Sequence, residues 1–272
     1  MNSRLCLLGV SLVTLLAACS DSAGGGGSGQ LSLGMSSVRP STALAGAAVP
    51  GVAGSPAVIA AGDSTMITLG NDTIILRSVE LVLREIELKR VEADSCDSVQ
   101  GNDDCEEFET GSTLVSLPLG STATETVIAI NAPAAMYDEL EFKIHKPEDN
   151  SSEDAAFLAA HPDFNGVSIR VTGTYSQAGS RSNFTFTSDL DAGQEVLLSP
   201  PLTVSDGVAA SVTLRIDVST WFLSTGGTAL VNPATANKGQ PNEGVVKDNI
   251  EASIDAFRDD NHDGHDDDGV HH

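Results

Sequence analysis

The chain has 272 residues, 14 of them Lys or Arg and 38 Asp or Glu, for a formal charge of −24. That balance excludes a phosphate-binding surface as its main business, because counterion release needs clustered Lys and Arg; it favours solubility and cation binding. Aromatics make up only 4%, so Ala, Val, Leu and Ile must build the core, and past the first nineteen residues no apolar run approaches the ~20 residues of a spanning helix.

Residues 1–18 read as an export signal. Arg4 supplies the positive region, Leu5 to Leu16 the apolar region, and Leu16-Ala17-Ala18-Cys19 the small-residue cleavage site. The tetrapeptide resembles the lipobox of bacterial lipoproteins, in which the cysteine is acylated and becomes the new N-terminus. The resemblance implies lipidation at Cys19 and attachment to a bacterial envelope membrane through lipid. Ser20 after the cysteine is similar to the outer-membrane sorting pattern, with the face of the membrane left open. Ser20 to Gly29 has no side chain capable of burial, so residues 19–29 form a lipidated cysteine and a Gly/Ser tether.

Leu31, Leu33 and Met35 alternate with polar or small residues and predict a first strand. Residues 40–62 read as an irregular loop. Met66 to Leu69 and Thr73 to Leu76 flank Gly70-Asn71-Asp72, which predicts a hairpin. Val79, Leu81 and Leu83 alternate, then the phase slips and Ile86 and Leu88 take over. A helix also fits Val79, Val82, Leu83 and Ile86, but a long strand with a β-bulge near Arg84-Glu85 accounts for the one-residue slip. Cys96 and Cys105 follow in a polar loop. In an exported chain oxidation is the default, and a disulfide there would contribute roughly 2–3 kcal/mol in the chain-entropy model.

Further short alternating runs follow at 113–117, 126–131, 137–144, 167–171, 184–186, 196–198 and 212–218, with a short helix at 153–160 stopped by His161-Pro162. The fold class expected is mainly β: an antiparallel β-sandwich over residues 30–241, with one C-terminal amphipathic helix over 242–258 packed on it. Asn242 is its N-cap, and Val246, Ile250, Ile254 and Phe257 lie on one helical face.

Asn131-Ala132-Pro133 with Met136-Tyr137-Asp138-Glu139-Leu140-Glu141-Phe142 is similar to the strand–turn–strand signature of prealbumin-like, carboxypeptidase-regulatory-type sandwiches. With Gly29-Gln30-Leu31-Ser32-Leu33 and the Val79–Val91 segment, it resembles bacterial lipoproteins carrying an uncharacterised domain of this kind. The usual turn glycine is replaced by Ala134-Ala135-Met136. The resemblance implies a fold and a location and brings no catalytic residues.

The acidic tail, residues 259–272, holds the strongest constellation. With Asp259 at loop position 1, Asn261 falls at 3, Asp263 at 5, Gly264 at 6 and Asp267 at 9, with the backbone carbonyl of His265 at 7. That is three-quarters of an EF-hand calcium loop, and it resembles dockerin and thrombospondin type-3 loops too. Position 12 is Val270 rather than Glu, so weak calcium binding is expected, driven by relief of an acidic helix C-terminus. A solvated acidic tail, or a transition-metal site built on His262, His265, His271 and His272, are the other readings.

Gly62-Asp63-Ser64 with Asp259-x-x-His262 resembles GDS-type esterases, but their serine sits on a strand-to-helix turn and strands surround Ser64 here. Glu106, Glu107, Glu109, Glu139 and Glu141 read as exposed acidic faces. As a glycosidase pair they lack aromatic platforms, with one Trp and two Tyr in the chain. Trp221-Phe222 reads as packing. No catalytic residue is assigned. The expected function is a lipid-anchored envelope binding or structural module, calcium-stabilised, with a protein or glycan partner left undefined; an extracytoplasmic hydrolase using acidic residues is the alternative.

Overall fold

A computed structural model describes residues 28–37, 56–61, 63–91, 107–120, 125–206 and 209–258. Mainly β, they form two sheets whose apolar inner faces meet in one core. Four strands make the smaller sheet, in the order β13 (Ile254–Arg258), β12 (Ala209–Ile216), β1 (Ser28–Ser36) and β7 (Glu125–Pro133). Leu31, Leu33 and Met35 of β1 and Val212, Leu214 and Ile216 of β12 carry its buried face. β1 and β12 run parallel, with Leu33 opposite Val212. This departs from an all-antiparallel sandwich. A parallel pair needs a long crossover, and the chain from Ser36 to Ala209, with most of the other strands, separates these two.

The larger sheet is organised around β4 (Asp72–Arg90). One edge of β4 receives β3 (Ser64–Leu69), β6 (Thr113–Ser116) and β5 (Glu107–Thr110) in turn; the other receives β9 (Ile169–Gln177) and then β8 (Ala135–Ile144). β2 (Ala57–Ala61) continues outward from β3, β10 (Ser180–Ser188) from β9, and β11 (Ala192–Val204) from β8.

The expected bulge is there. Glu85 adopts φ +51°, and the register against β8 slips between Arg84 and Glu87. A second slip, between Leu76 and Ser78 against β9, was not anticipated. Together they turn the buried face of β4 through Ile74 and Leu76, then Val79, Leu81 and Leu83, then Ile86 and Leu88. Nineteen residues can therefore keep one face inward while the strand twists through the sheet. The hairpin before it closes with Leu69 opposite Asp72, and Gly70 takes the left-handed φ of +63° that a tight turn demands.

Where β8 and β9 part, Val82 accepts from the His145 N–H and donates to the Ser168 carbonyl. Residues 145–168 leave the sheet at that point and return over its outer face. They carry α1 (Ala155–Ala160), ended by a 3₁₀ turn at Pro162–Phe164, and bury Phe157 and Phe164 on Val82. The sequence places Val82 on the wrong side of its own strand for the main core, and this second small core is the reason.

The terminal helix is shorter than expected. α2 spans Glu243–Glu251, and Ile254 and Phe257 belong to β13, with Ile254 opposite Ile216 and Phe257 opposite Thr213. Ser253 marks the break. Its hydroxyl donates to the Ile250 carbonyl at 2.6 Å and accepts from the fully buried Trp221 indole N–H at 2.8 Å. Asn242 occupies the N-cap position, but its side chain makes no capping bond and donates instead to the Thr235 hydroxyl at 2.9 Å. Val246 and Ile250 are the buried part of the predicted stripe, and Trp221 and Phe222 are buried as packing residues.

Candidate functional site

Cys19, Cys96, Cys105, Asp259, Asn261, Asp263, His265 and Asp267 all lie outside the described residues. The fold does locate where their segments attach. β1 runs parallel to β12 and β13 runs antiparallel to it, so β13, an edge strand among the described residues, ends pointing toward the end of the smaller sheet at which β1 begins. An EF-hand's incoming helix is not what precedes Asp259, because α2 ends at Glu251. The argument from an acidic helix terminus falls with it.

Among the described residues, polar chemistry concentrates on the outer face of the larger sheet, beside the bulge. Asp154 is 1% exposed. It accepts from His145 Nε2, 3.0 Å from both carboxylate oxygens, from the Glu148 N–H at 3.1 Å and from the Ser112 hydroxyl at 3.2 Å. The same Nε2 lies 3.3 Å from Arg84 Nη1, so this ring nitrogen stands between a group that only accepts and one that only donates. Burial pushes the Asp154 carboxyl up, but the bonds from His145 and the Glu148 N–H outweigh it and hold the group below the ordinary range. Arg84, in contact with His145, also pairs with Glu85 and Glu153.

Serine, histidine and aspartate therefore meet here, but not in a nucleophile's order. Ser112 donates to Asp154 rather than to the imidazole, so the hydroxyl is not set against a ring nitrogen that could take its proton. What the arrangement does is hold: it pins the 145–168 excursion to the sheet. Leaving a buried group such as Asp154 without one of its partners typically costs about 1–3 kcal/mol.

Next along the face, Lys89 Nζ sits 2.6 Å from Glu139 and 3.1 Å from Glu141. These hydrogen bonds raise the lysine well above its ordinary range. Glu139 is 16% exposed and Glu141 29%, so the expected exposed acidic face is here a half-buried set of ion pairs. Lys143 pairs likewise with Glu85. Arg170 binds Glu80 at 2.8 Å and Asp163, and lies 4.3 Å over the Phe164 ring. At the far end Asp189 takes Lys247 at 2.5 Å and Lys238 at 2.7 Å; its carboxyl is held down to about 2 by Lys238 and Lys247. Lys247 thereby fastens α2 to the end of β10.

None of these groups was singled out from the sequence, apart from the two glutamates. Each set joins residues from strands far apart in the chain, Lys89 to Glu139 and Asp189 to Lys247 among them, and no local spacing announces such a meeting. Ser64, of the esterase-like triplet, opens β3 rather than a strand-to-helix turn. Among the described residues no group of three or more His, Cys, Asp and Glu side chains is arranged to hold a metal ion. Set against family models, curated proteins and solved structures, the chain matches none.

Proposed function

We propose that this chain is a lipid-anchored module of a bacterial envelope, binding or structural rather than catalytic. The observation that carries the reading is Leu16-Ala17-Ala18-Cys19 followed by a Gly/Ser run whose last two residues, Ser28 and Gly29, already belong to β1 and not to the tether expected over 19–29. β1 is an interior strand, bonded to β12 and to β7, so an anchor there would attach to the body of the sandwich rather than to a frayed end. Two acyl chains or more, at ~0.8 kcal/mol per buried CH₂, would make the attachment stable.

The self-compensated polar groups support the non-catalytic half. Glu139 and Glu141, which the hydrolase alternative would use, share Lys89, and Ser112 gives its proton to Asp154 rather than to His145. Calcium bound by Asp259, Asn261, Asp263, Asp267 and the His265 carbonyl is part of the proposal, as a weak stabiliser. The anchor is tested by detergent-phase partitioning of the full chain and of Cys19→Ala. The wild type is expected in the detergent phase and the variant in the aqueous phase; a variant that stays with detergent overturns the anchor. Turnover in a broad hydrolase-substrate panel, abolished by Glu→Gln changes, would overturn the non-catalytic half.

A further inference from the structure

The two ends of the larger sheet differ sharply in charge. Around the bulge the outer face is a lattice of Glu, Lys and Arg. At the other end, β2 and β3 carry no charged side chain at all, in a chain of net charge −24. Ile67 and Ile74 face the core, which leaves Met66 and Ile75 on the outer face. The register aligns Ile59 of β2 with Met66 of β3, and Met66 with Ile75 of β4. An apolar row thus runs across three strands to the edge and ends at Ile59, which is 52% exposed. The flanking row, Ala57, Thr68 and Thr73, is also neutral.

Among the described residues β2 has one strand neighbour, β3. Edge strands are commonly guarded by Lys, Pro or an inward-pointing charge. Ala57-Val58-Ile59-Ala60-Ala61 has none of these.

We propose that β2 is a self-association edge: the β2 strands of two copies of this chain pair antiparallel about a two-fold axis through Ile59. Ile59 is the middle residue of the five, so a two-fold there sets Ile59 opposite its counterpart and Ala57 opposite Ala61 of the second copy. Directly opposed residues of an antiparallel pair share a face. The row Ile75–Met66–Ile59 therefore continues into Ile59–Met66–Ile75 of the other copy, and both exposed isoleucines are covered. The uncharged edge is where a second copy can approach. Two strongly acidic bodies repel over most of their surface, but this register brings no carboxylate opposite another. The nearest described carboxylate, Asp63, lies beyond the paired segment.

A five-residue pairing is small against the ~1,000 Å² of a stable solution interface. Dimers should be sparse in dilute solution and favoured where copies are concentrated, as tethering to one membrane would do. The pairing does not itself depend on the anchor.

The test is cysteine cross-linking of the full chain under mild oxidation, in whichever fraction it partitions, with the parent chain as background for its native cysteines. Opposed Cα atoms would stand about 4.5–5.5 Å apart, inside the range of about 4.4–6.8 Å that a disulfide spans, so Ile59→Cys should form a disulfide dimer, about tenfold above the parent. Two copies of residue 57 would be about 13 Å apart, so Ala57→Cys alone should stay at background, and a mixture of Ala57→Cys with Ala61→Cys should link. Ile59 is exposed, so its replacement should leave the fold intact, which a melting curve checks. Failure of Ile59→Cys to exceed the parent, or equal linking by Ile59→Cys and Ala57→Cys alone, overturns the proposal. Partitioning into the aqueous fraction would count against the anchor and not against the pairing.

Discussion

The Tyr137 hydroxyl donates a 2.9 Å hydrogen bond to the carbonyl of Pro133, four residues back across the bend that joins β7 to β8. Tyr137 is completely buried, so the bond ties a core ring to the backbone of the corner. Tyr137→Phe keeps the ring and removes the donor. The loss of one such bond costs about 1 kcal/mol or somewhat more. In a domain of this size that lowers Tm by about 2–4 °C. An unchanged Tm would mean that water replaces the hydroxyl and the corner is held by packing alone.

Asp189 makes the stability of the α2 attachment depend on pH. Its folded value is depressed, to about 2 from an ordinary 3.8, so its contribution is fully present above about pH 4 and lost as pH falls toward 2. Asp189 is 12% exposed, which keeps solvent screening small. The contribution should be on the order of 1–2 kcal/mol. Urea unfolding of the wild type and of Asp189→Asn should therefore differ by about that amount at pH 6 and converge at pH 2. A difference that stays constant across the range would assign the effect to packing.

The β9–β10 hairpin carries a residue that its backbone does not suit. Gln177 pairs with Ser180, and the two loop residues Ala178 and Gly179 both have positive φ, +49° and +83°. Glycine meets that demand freely, whereas an alanine in the left-handed region costs about 1 kcal/mol. Ala178→Asn restores the Asn-Gly pair that such loops prefer and should stabilise by about 0.5–1 kcal/mol, read as a Tm rise of a few degrees. Gly179→Ala should do the reverse: a Cβ there meets nothing within 4 Å, so conformation rather than space sets the loss. Equal melting of all three chains would refute the strain.

Calcium is tested by thermal melting. If the tail carboxylates gather a divalent cation when folded, adding calcium raises Tm by mass action, and without a position-12 carboxylate only at about 0.1–1 mM or above. Melting with about 5 mM calcium, above that range, should shift the wild type and leave Asp263→Ala unmoved. No shift, or the same shift in both, would leave the tail a solvated acidic end.

Much of this molecule was determined by short stretches of its sequence. The slip of parity between Leu83 and Ile86 announces the bulge at Glu85, because a single extra residue is the only way for one strand to keep burying its apolar side. Gly70-Asn71 sets its hairpin, and the alternation at Leu140, Phe142 and Ile144 sets the inward face of β8, because turn chemistry and period-two burial act over a few residues. Pairing decided the rest. The spacing from Ile250 to Ile254 is four, close to one helical turn and also an even step along a strand; the free edge of β12 drew Ile254 and Phe257 into β13 and ended the helix at Glu251. The parallel alignment of β1 with β12, the meeting of Asp154 with Ser112 and His145, and the exposed edge at Ile59 belong to the tertiary structure alone. Each is a contact between segments whose own patterns are complete without it, and only the closing of two sheets over one core brings them together.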